Sequence, residues 1–157
     1  MDLTKKQKTL IGVVFGVYMA ILIYVLFFSA RFGRTQGNVH GVNLVPLNEI
    51  KRFYKGPESL ATGLFWLNIA GNIAAFLPMG LLVALLAPRK PYGVFAVAAV
   101  YVASMVAEVL QYVFKVGSFD IDDVLLNTIG GLIGVLISIP VRRKLAGKPK
   151  RKSRKKR

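Results

Sequence analysis

The chain has no cysteine, a single histidine and only 7 acidic residues against 22 basic ones in 157. Without cysteine there can be no disulfide and no thiol nucleophile, and redox compartment leaves no trace. With His40 as the lone imidazole, the nitrogen and sulfur sets that hold zinc are missing. No G-x-S-x-G elbow, phosphate-cradling glycine loop or H-E-x-x-H helix occurs either. Acidic residues are scarce in a chain of net charge +15, so the few present repay close attention.

What is abundant is apolar residues. They make up 54% of the chain, with mean hydropathy +0.52, too apolar for an ordinary soluble domain. Four runs account for this, at about 9–29, 64–87, 92–114 and 121–140. A helix rises about 1.5 Å per residue, so crossing roughly 30 Å of hydrocarbon takes about 20 residues. The first three runs satisfy that. The fourth is predominantly apolar only over 124–139, and it spans the bilayer if its polar start enters the interface or its basic end snorkels. The expected architecture is an all-α membrane protein, one domain over 1–140 with four transmembrane helices, followed by a disordered basic tail over 141–157. The first run has a basic flank (Lys5, Lys6, Lys8), but it is about twice the length of a signal-peptide core, so we read it as an uncleaved anchor.

Charge sets the orientation. The segment "RRKLAGKPKRKSRKKR", 142–157, holds 11 basic residues and no acid. Together with Lys5, Lys6, Lys8, Arg89 and Lys90 it puts 16 basic residues on one side of a four-span topology and six elsewhere. The positive-inside rule then places both termini in the cytoplasm of a multi-pass plasma-membrane protein. The tail lacks aromatic residues for stacking on bases, so we read it against anionic lipid heads and not nucleic acid.

In that topology Glu49, Glu58, Glu108, Asp120, Asp122 and Asp123 all lie on outer loops or outer halves of spans. Asn68 and Asn72 share a face near the outer end of the second span, Glu108 and Gln111 a face near the end of the third, and Asp120, Asp123 and Asn127 a face at the start of the fourth. Asp122 points elsewhere. Singly, each has a structural explanation: Asp120 as an N-cap, Asp123 as a first-turn acid, the amides as interhelical glue. Collectively, three helices deliver polar groups to one depth, and intramembrane carboxylates mark functional sites. Gly130 and Gly134 permit close approach of another helix just below, and Pro78 should kink the second span. In the first outer loop "GNVHGVN" reads as flexible. The following Leu47, Ile50, Phe53 and Tyr54 predict a short interfacial helix with Lys51, Arg52 and Lys55 near its polar side, suited to steering an anionic head group.

The order "NLVPLNEI", "NIAGNIAAFLPMG", "EVLQYVF", "FDIDDVLLNTIGG" resembles the VanZ-like family of bacterial membrane proteins. The pattern falls on Asn43 and Pro46; on Asn68, Gly71, Asn72, Phe76, Pro78 and Gly80; on Glu108 and Gln111; and on Asp120, Asp123, Asn127 and Gly130. Where the family carries an arginine just before the aspartates, this chain has "KVGSFD", with Lys115 the nearest base and no guanidinium fork. The resemblance implies a cell-envelope protein, since the family's founding member is linked to low-level resistance to teicoplanin, an acylated lipoglycopeptide. It adds Asn43 to the site.

Two functions from different classes fit these residues. In one, a non-enzymatic module binds an amphipathic envelope molecule (a membrane lipid, a lipid-linked precursor or the lipoglycopeptide) through Asn43, Asn68, Asn72, Glu108, Gln111, Asp120, Asp123 and Asn127, and needs no cofactor. In the other, a membrane enzyme acts on a lipid-linked substrate, with Glu108 as general acid/base and Glu108, Asp120 and Asp123 as catalytic groups or oxygen ligands of Mg²⁺ or Ca²⁺. The absence of a nucleophile favours the first. A transporter of four spans without a repeat would need a homo-oligomer.

Overall fold

The computed structural model describes residues 3–28, 41–48, 61–87 and 91–146. Among these, α1 runs Lys5–Phe28, α2 Ala61–Leu86, α3 Tyr92–Val113 and α4 Ile121–Leu145, with two-residue strands β1 (Val42–Asn43) and β2 (Phe119–Asp120). All four helices are long and apolar enough to cross a membrane. Their outward faces stay apolar, as Val13, Val17, Trp66, Phe95, Val102, Leu132 and Leu136 show, which is the signature of helices in a lipid environment.

Local chemistry explains where the helices start and stop. Thr4 and Gln7 form a capping box: the Gln7 N–H donates to Thr4 Oγ1 at 3.2 Å, and the Thr4 N–H donates to Gln7 Oε1 at 2.9 Å. After α3, Lys115 takes a left-handed conformation (φ 58°), with Val116 N–H on the Gln111 carbonyl and Lys115 N–H on the Tyr112 carbonyl. This is a Schellman turn with lysine where glycine is usual. Asp120 caps α4, its side chain accepting from the Asp122 N–H at 2.8 Å.

Glycine sets the packing. A Cβ on Gly130 would fall on the Ile73 carbonyl oxygen, one on Gly134 on that of Leu77, and one on Gly80 on that of Gly131. Thus α2 and α4 meet backbone to backbone, the close approach expected of Gly130 and Gly134. α3 seats Val100 on Gly131, and α1 lies at the periphery, burying only Leu22 and Leu26. Leu22 and Leu26 join Phe76, Met79, Val100 and Ala107 in the main core. The Tyr18 hydroxyl donates to the Ala75 carbonyl at 2.6 Å, tying α1 to α2. Gln7 Nε2 donates to the Leu145 carbonyl at 3.1 Å, so α1 begins beside the end of α4.

Two boundaries differ from the sequence reading. α4 continues through Pro140 to Leu145, with Asp122 and Asp123 in its first turn and Arg142, Arg143 and Lys144 in its last. It is therefore about 37 Å long by helical rise, and no short span is needed. The segment expected to be disordered from 141 onward is helical at its start, because Arg142 is recruited into the bundle. Its Nη1 and Nη2 donate to the carbonyls of Ala84 and Ala87, both at 3.0 Å, and its guanidinium sits 4.6 Å from the centre of the Tyr92 ring. The fork caps the C-terminal carbonyls of α2, where the helix dipole also favours a cation. Arg142→Ala should lower stability by about 2 kcal/mol, and Arg142→Lys should recover less than half, since a point charge cannot bridge both carbonyls. Thermal unfolding of the protein in nanodiscs measures both.

The expected loop at Gly37–Asn43 is likewise partly ordered: Val42 and Asn43 pair in parallel with Phe119 and Asp120. The proposed interfacial helix beyond Asn48, with Lys51, Arg52 and Lys55, lies outside the described residues, as do His40, Glu49, Glu58, Arg89, Lys90 and 147–157.

Candidate functional site

The polar residues at the start of α2, the end of α3 and the start of α4 gather at the end of the bundle opposite the α1 start and the α4 terminus. Two connected groups form there. In the first, α4 presents Asp123 to α2: Asn72 Nδ2 donates to Asp123 Oδ1 at 2.6 Å and Asn68 Nδ2 to the same oxygen at 3.2 Å. The spacing of four brings both amides to one face of α2, so one carboxylate oxygen serves both. Asp123 and Asn72 are half-buried and Asn68 is exposed, so this group reaches the protein surface.

In the second, β1, α3 and α4 converge. The Schellman turn folds the chain back so that the Asp120 N–H donates to Glu108 Oε2 at 3.1 Å. Asn43, placed opposite Asp120 by the strand pairing, donates from Nδ2 to Asp120 Oδ1 at 2.9 Å. Asn43 Oδ1 in turn accepts from the Asn48 side chain at 3.2 Å and from the Val45 N–H at 3.3 Å. Glu108 is 3% exposed, deeply placed for an ionisable group on a membrane helix.

Asp120 and Asp123, expected on one face, therefore serve different neighbours. Asp122, buried at 5% exposure, turns to the 41–48 segment and accepts from the Leu47 N–H at 2.5 Å, holding Leu47 at φ 63°. Sequence reasoning set Asp122 aside; only the folded position of Leu47 shows that it anchors the segment that carries Asn43. Gln111 also leaves this group, donating from Nε2 to the Leu26 carbonyl of α1 at 2.9 Å. Asn127 lies one turn deeper than Asp123, 2% exposed, with Nδ2 donating to Ser104 Oγ at 2.8 Å. Ser104, wholly buried on α3 one turn before Glu108, had no sequence signal beyond its i, i+4 relation to that acid.

Chemically, the end of the bundle is rich in acceptors held by amides. Among the described residues no group of three or more His, Asp or Glu side chains is arranged to hold a metal ion. Glu108, Asp120 and Asp123 come to the same end of the bundle, but Asp123 answers to the amides of α2 while Glu108 and Asp120 meet each other through the backbone.

Four apolar membrane-spanning helices around a glycine-packed centre, with carboxylates and amides gathered at one end, define a small all-α multi-pass membrane protein. A family model described as VanZ/LLP1 matches residues 15–142, and the chain belongs to that family. It is similar to Protein VanZ of Enterococcus faecium, 32% identical over 124 residues that cover 76% of this chain and 68% of that protein. No solved structure matches the chain significantly.

Proposed function

We propose that the chain is a bacterial cell-envelope protein, both termini cytoplasmic, whose outward-facing polar end binds an amphipathic envelope molecule and thereby lowers susceptibility to lipoglycopeptide antibiotics. The molecule is a membrane lipid, a lipid-linked precursor or the antibiotic itself. The observation that carries this reading is the joining of α2 and α4 by Asp123, Asn68 and Asn72 beside the Asn43–Asp120–Glu108 group. A hydrogen-bonded carboxylate set at a helix end, flanked by lipid-facing apolar surface, suits a ligand with a polar head and an acyl chain. Membership in the VanZ/LLP1 family supports the resistance role. The basic excess at the opposite end supports the orientation and contact with anionic lipid heads there.

The test is teicoplanin susceptibility of a sensitive host with and without the expressed protein. A raised inhibitory concentration for teicoplanin, but not for a glycopeptide without an acyl chain, is the expected result. An unchanged concentration at confirmed membrane abundance counts against it.

A further inference from the structure

We infer that the turn from Val42 to Leu47 is seated in the bilayer at the carboxylate end of the bundle, at the boundary between head groups and acyl chains, with Leu44, Val45 and Leu47 against lipid. The partner of this surface is the leaflet itself. The inference goes beyond the proposed function and holds for either orientation of the protein. Three observations carry it.

The first is the sorting of side chains along a segment that is not helical. Val42, Leu44, Val45 and Leu47 are each more than half exposed, and Pro46 is exposed with them. The polar members are half-buried and turn inward: Asn43 Nδ2 donates to Asp120 Oδ1, and Asn48 Nδ2 to Asn43 Oδ1. Apolar side chains outward and amides inward is the reverse of a loop that faces water.

The second is the backbone. Hydrocarbon cannot satisfy an N–H, so irregular chain near lipid must satisfy its donors within the protein. The Val45 N–H donates to Asn43 Oδ1, the Leu47 N–H donates to Asp122 Oδ1, and Pro46 between them has no N–H. Three consecutive positions therefore present no free donor, although their side chains stand exposed. Asp122 holds Leu47 in left-handed backbone to do this.

The third is depth. Asp122 and Arg142 lie about 20 residues apart on the continuous helix α4, roughly 30 Å by helical rise, which is the thickness of the hydrocarbon layer. The other helices give the same measure. Tyr92, against the Arg142 guanidinium, stands about 20 residues before Tyr112, and Leu86, beside the Ala87 carbonyl that Arg142 caps, about 20 after Trp66. Trp66 and Tyr112 are both exposed, as the aromatic belt at a membrane boundary requires. The bond from Leu47 to Asp122 fixes the turn at this level, so its apolar side chains meet the lipid that already surrounds the helices. Asn43 rides on the same turn, so its bond to Asp120 is positioned from the lipid side as well as by Asp122.

Spin labelling tests this in the full chain, which has no cysteine of its own. Leu44→Cys and Val45→Cys carry a nitroxide in phosphatidylcholine nanodiscs, with Val102→Cys, on the lipid-facing middle of α3, and Lys144→Cys, in the exposed last turn of α4, as calibrants. Collision with oxygen, which concentrates among acyl chains, is compared with collision with a water-soluble nickel chelate. Both turn positions should collide freely with oxygen, and their oxygen-to-nickel ratio should fall between those of the two calibrants. A ratio equal to that at Lys144→Cys would put the turn in water and overturn the inference. A ratio equal to that at Val102→Cys would put it in the hydrocarbon centre and overturn the depth. Weak collision with both reagents would show the turn covered by protein, a second copy or another segment of the chain, and would also overturn it. Should one of the two turn variants not accumulate, the other decides.

Discussion

Gly134→Ala should be among the most damaging single methyls that can be added to the described part of this protein. Its Cβ would overlap the Leu77 carbonyl oxygen and lie 2.7 Å from the Leu81 nitrogen. These are backbone atoms of a helix, so no side-chain rotation relieves the clash. Overpacking a well-filled core typically costs 1–3 kcal/mol, and here whole helices must separate, so we expect about 3 kcal/mol or more. The Asn68–Asp123 and Asn72–Asp123 bonds depend on the same α2–α4 distance and should loosen together. Gly12→Ala is the control: nothing lies within 4 Å of its added Cβ, and replacing a mid-helix glycine should be neutral or stabilising by up to about 1 kcal/mol. Unfolding temperatures of both variants in the same nanodiscs measure the contrast. Equal stability of the two would mean that the α2–α4 contact is not as close as described.

The second large effect is expected at Asp123. Asp123→Leu removes the carboxylate oxygen that accepts from both Asn68 and Asn72, leaving Asn72 Nδ2 only its 3.4 Å bond to Asn68 Oδ1. Hydrogen bonds to a charged group contribute about 1.5–3 kcal/mol, and the strained-out amides add to the loss, so stability should fall by about 2–4 kcal/mol with protection abolished. Asp123→Asn keeps an oxygen for the two amides and should retain most of the stability with reduced protection. A swap separates the two contributions. Asn68→Asp combined with Asp123→Asn rebuilds the bridge with the charge on α2, so unfolding temperature should recover. If protection recovers too, the carboxylate serves only to join the helices; if it does not, the charge is needed on α4 where a ligand meets it. Susceptibility must be compared at matched membrane levels, because a destabilised variant loses abundance as well as function.

Much of this architecture is written plainly in the sequence. The spans follow from apolar run length, and the Asp120 cap from its place before an apolar helix. The α4 glycines announce close packing at small-residue spacing. The gathering of Asn68, Asn72, Glu108 and Asp123 at one end follows from counting residues along antiparallel spans. What was not legible depends on tertiary placement. The division between Asp120 and Asp123 arises from a Schellman turn on Lys115, a residue with no preference for left-handed backbone, and from a strand pair too short to show a period. Gly80 looks like any span glycine until Gly131 of α4 lies across it. Arg142 reads as the first residue of a basic tail, and only the exposed carbonyls of Ala84 and Ala87 make it part of the bundle. Gln111 shares a helical face with Glu108, but α1 passes close enough to take it.

The claim on which function most depends is that the carboxylate end faces the cell exterior. The chain has no native cysteine, so single substitutions report without background. Ser118→Cys lies in the turn beside Asp120, and Lys144→Cys lies in the exposed last turn of α4. In intact cells a membrane-impermeant maleimide should label Ser118→Cys and leave Lys144→Cys unlabelled until the membrane is permeabilised. The opposite pattern would put Glu108, Asp120 and Asp123 on the cytoplasmic side and contradict binding of an outer-leaflet molecule.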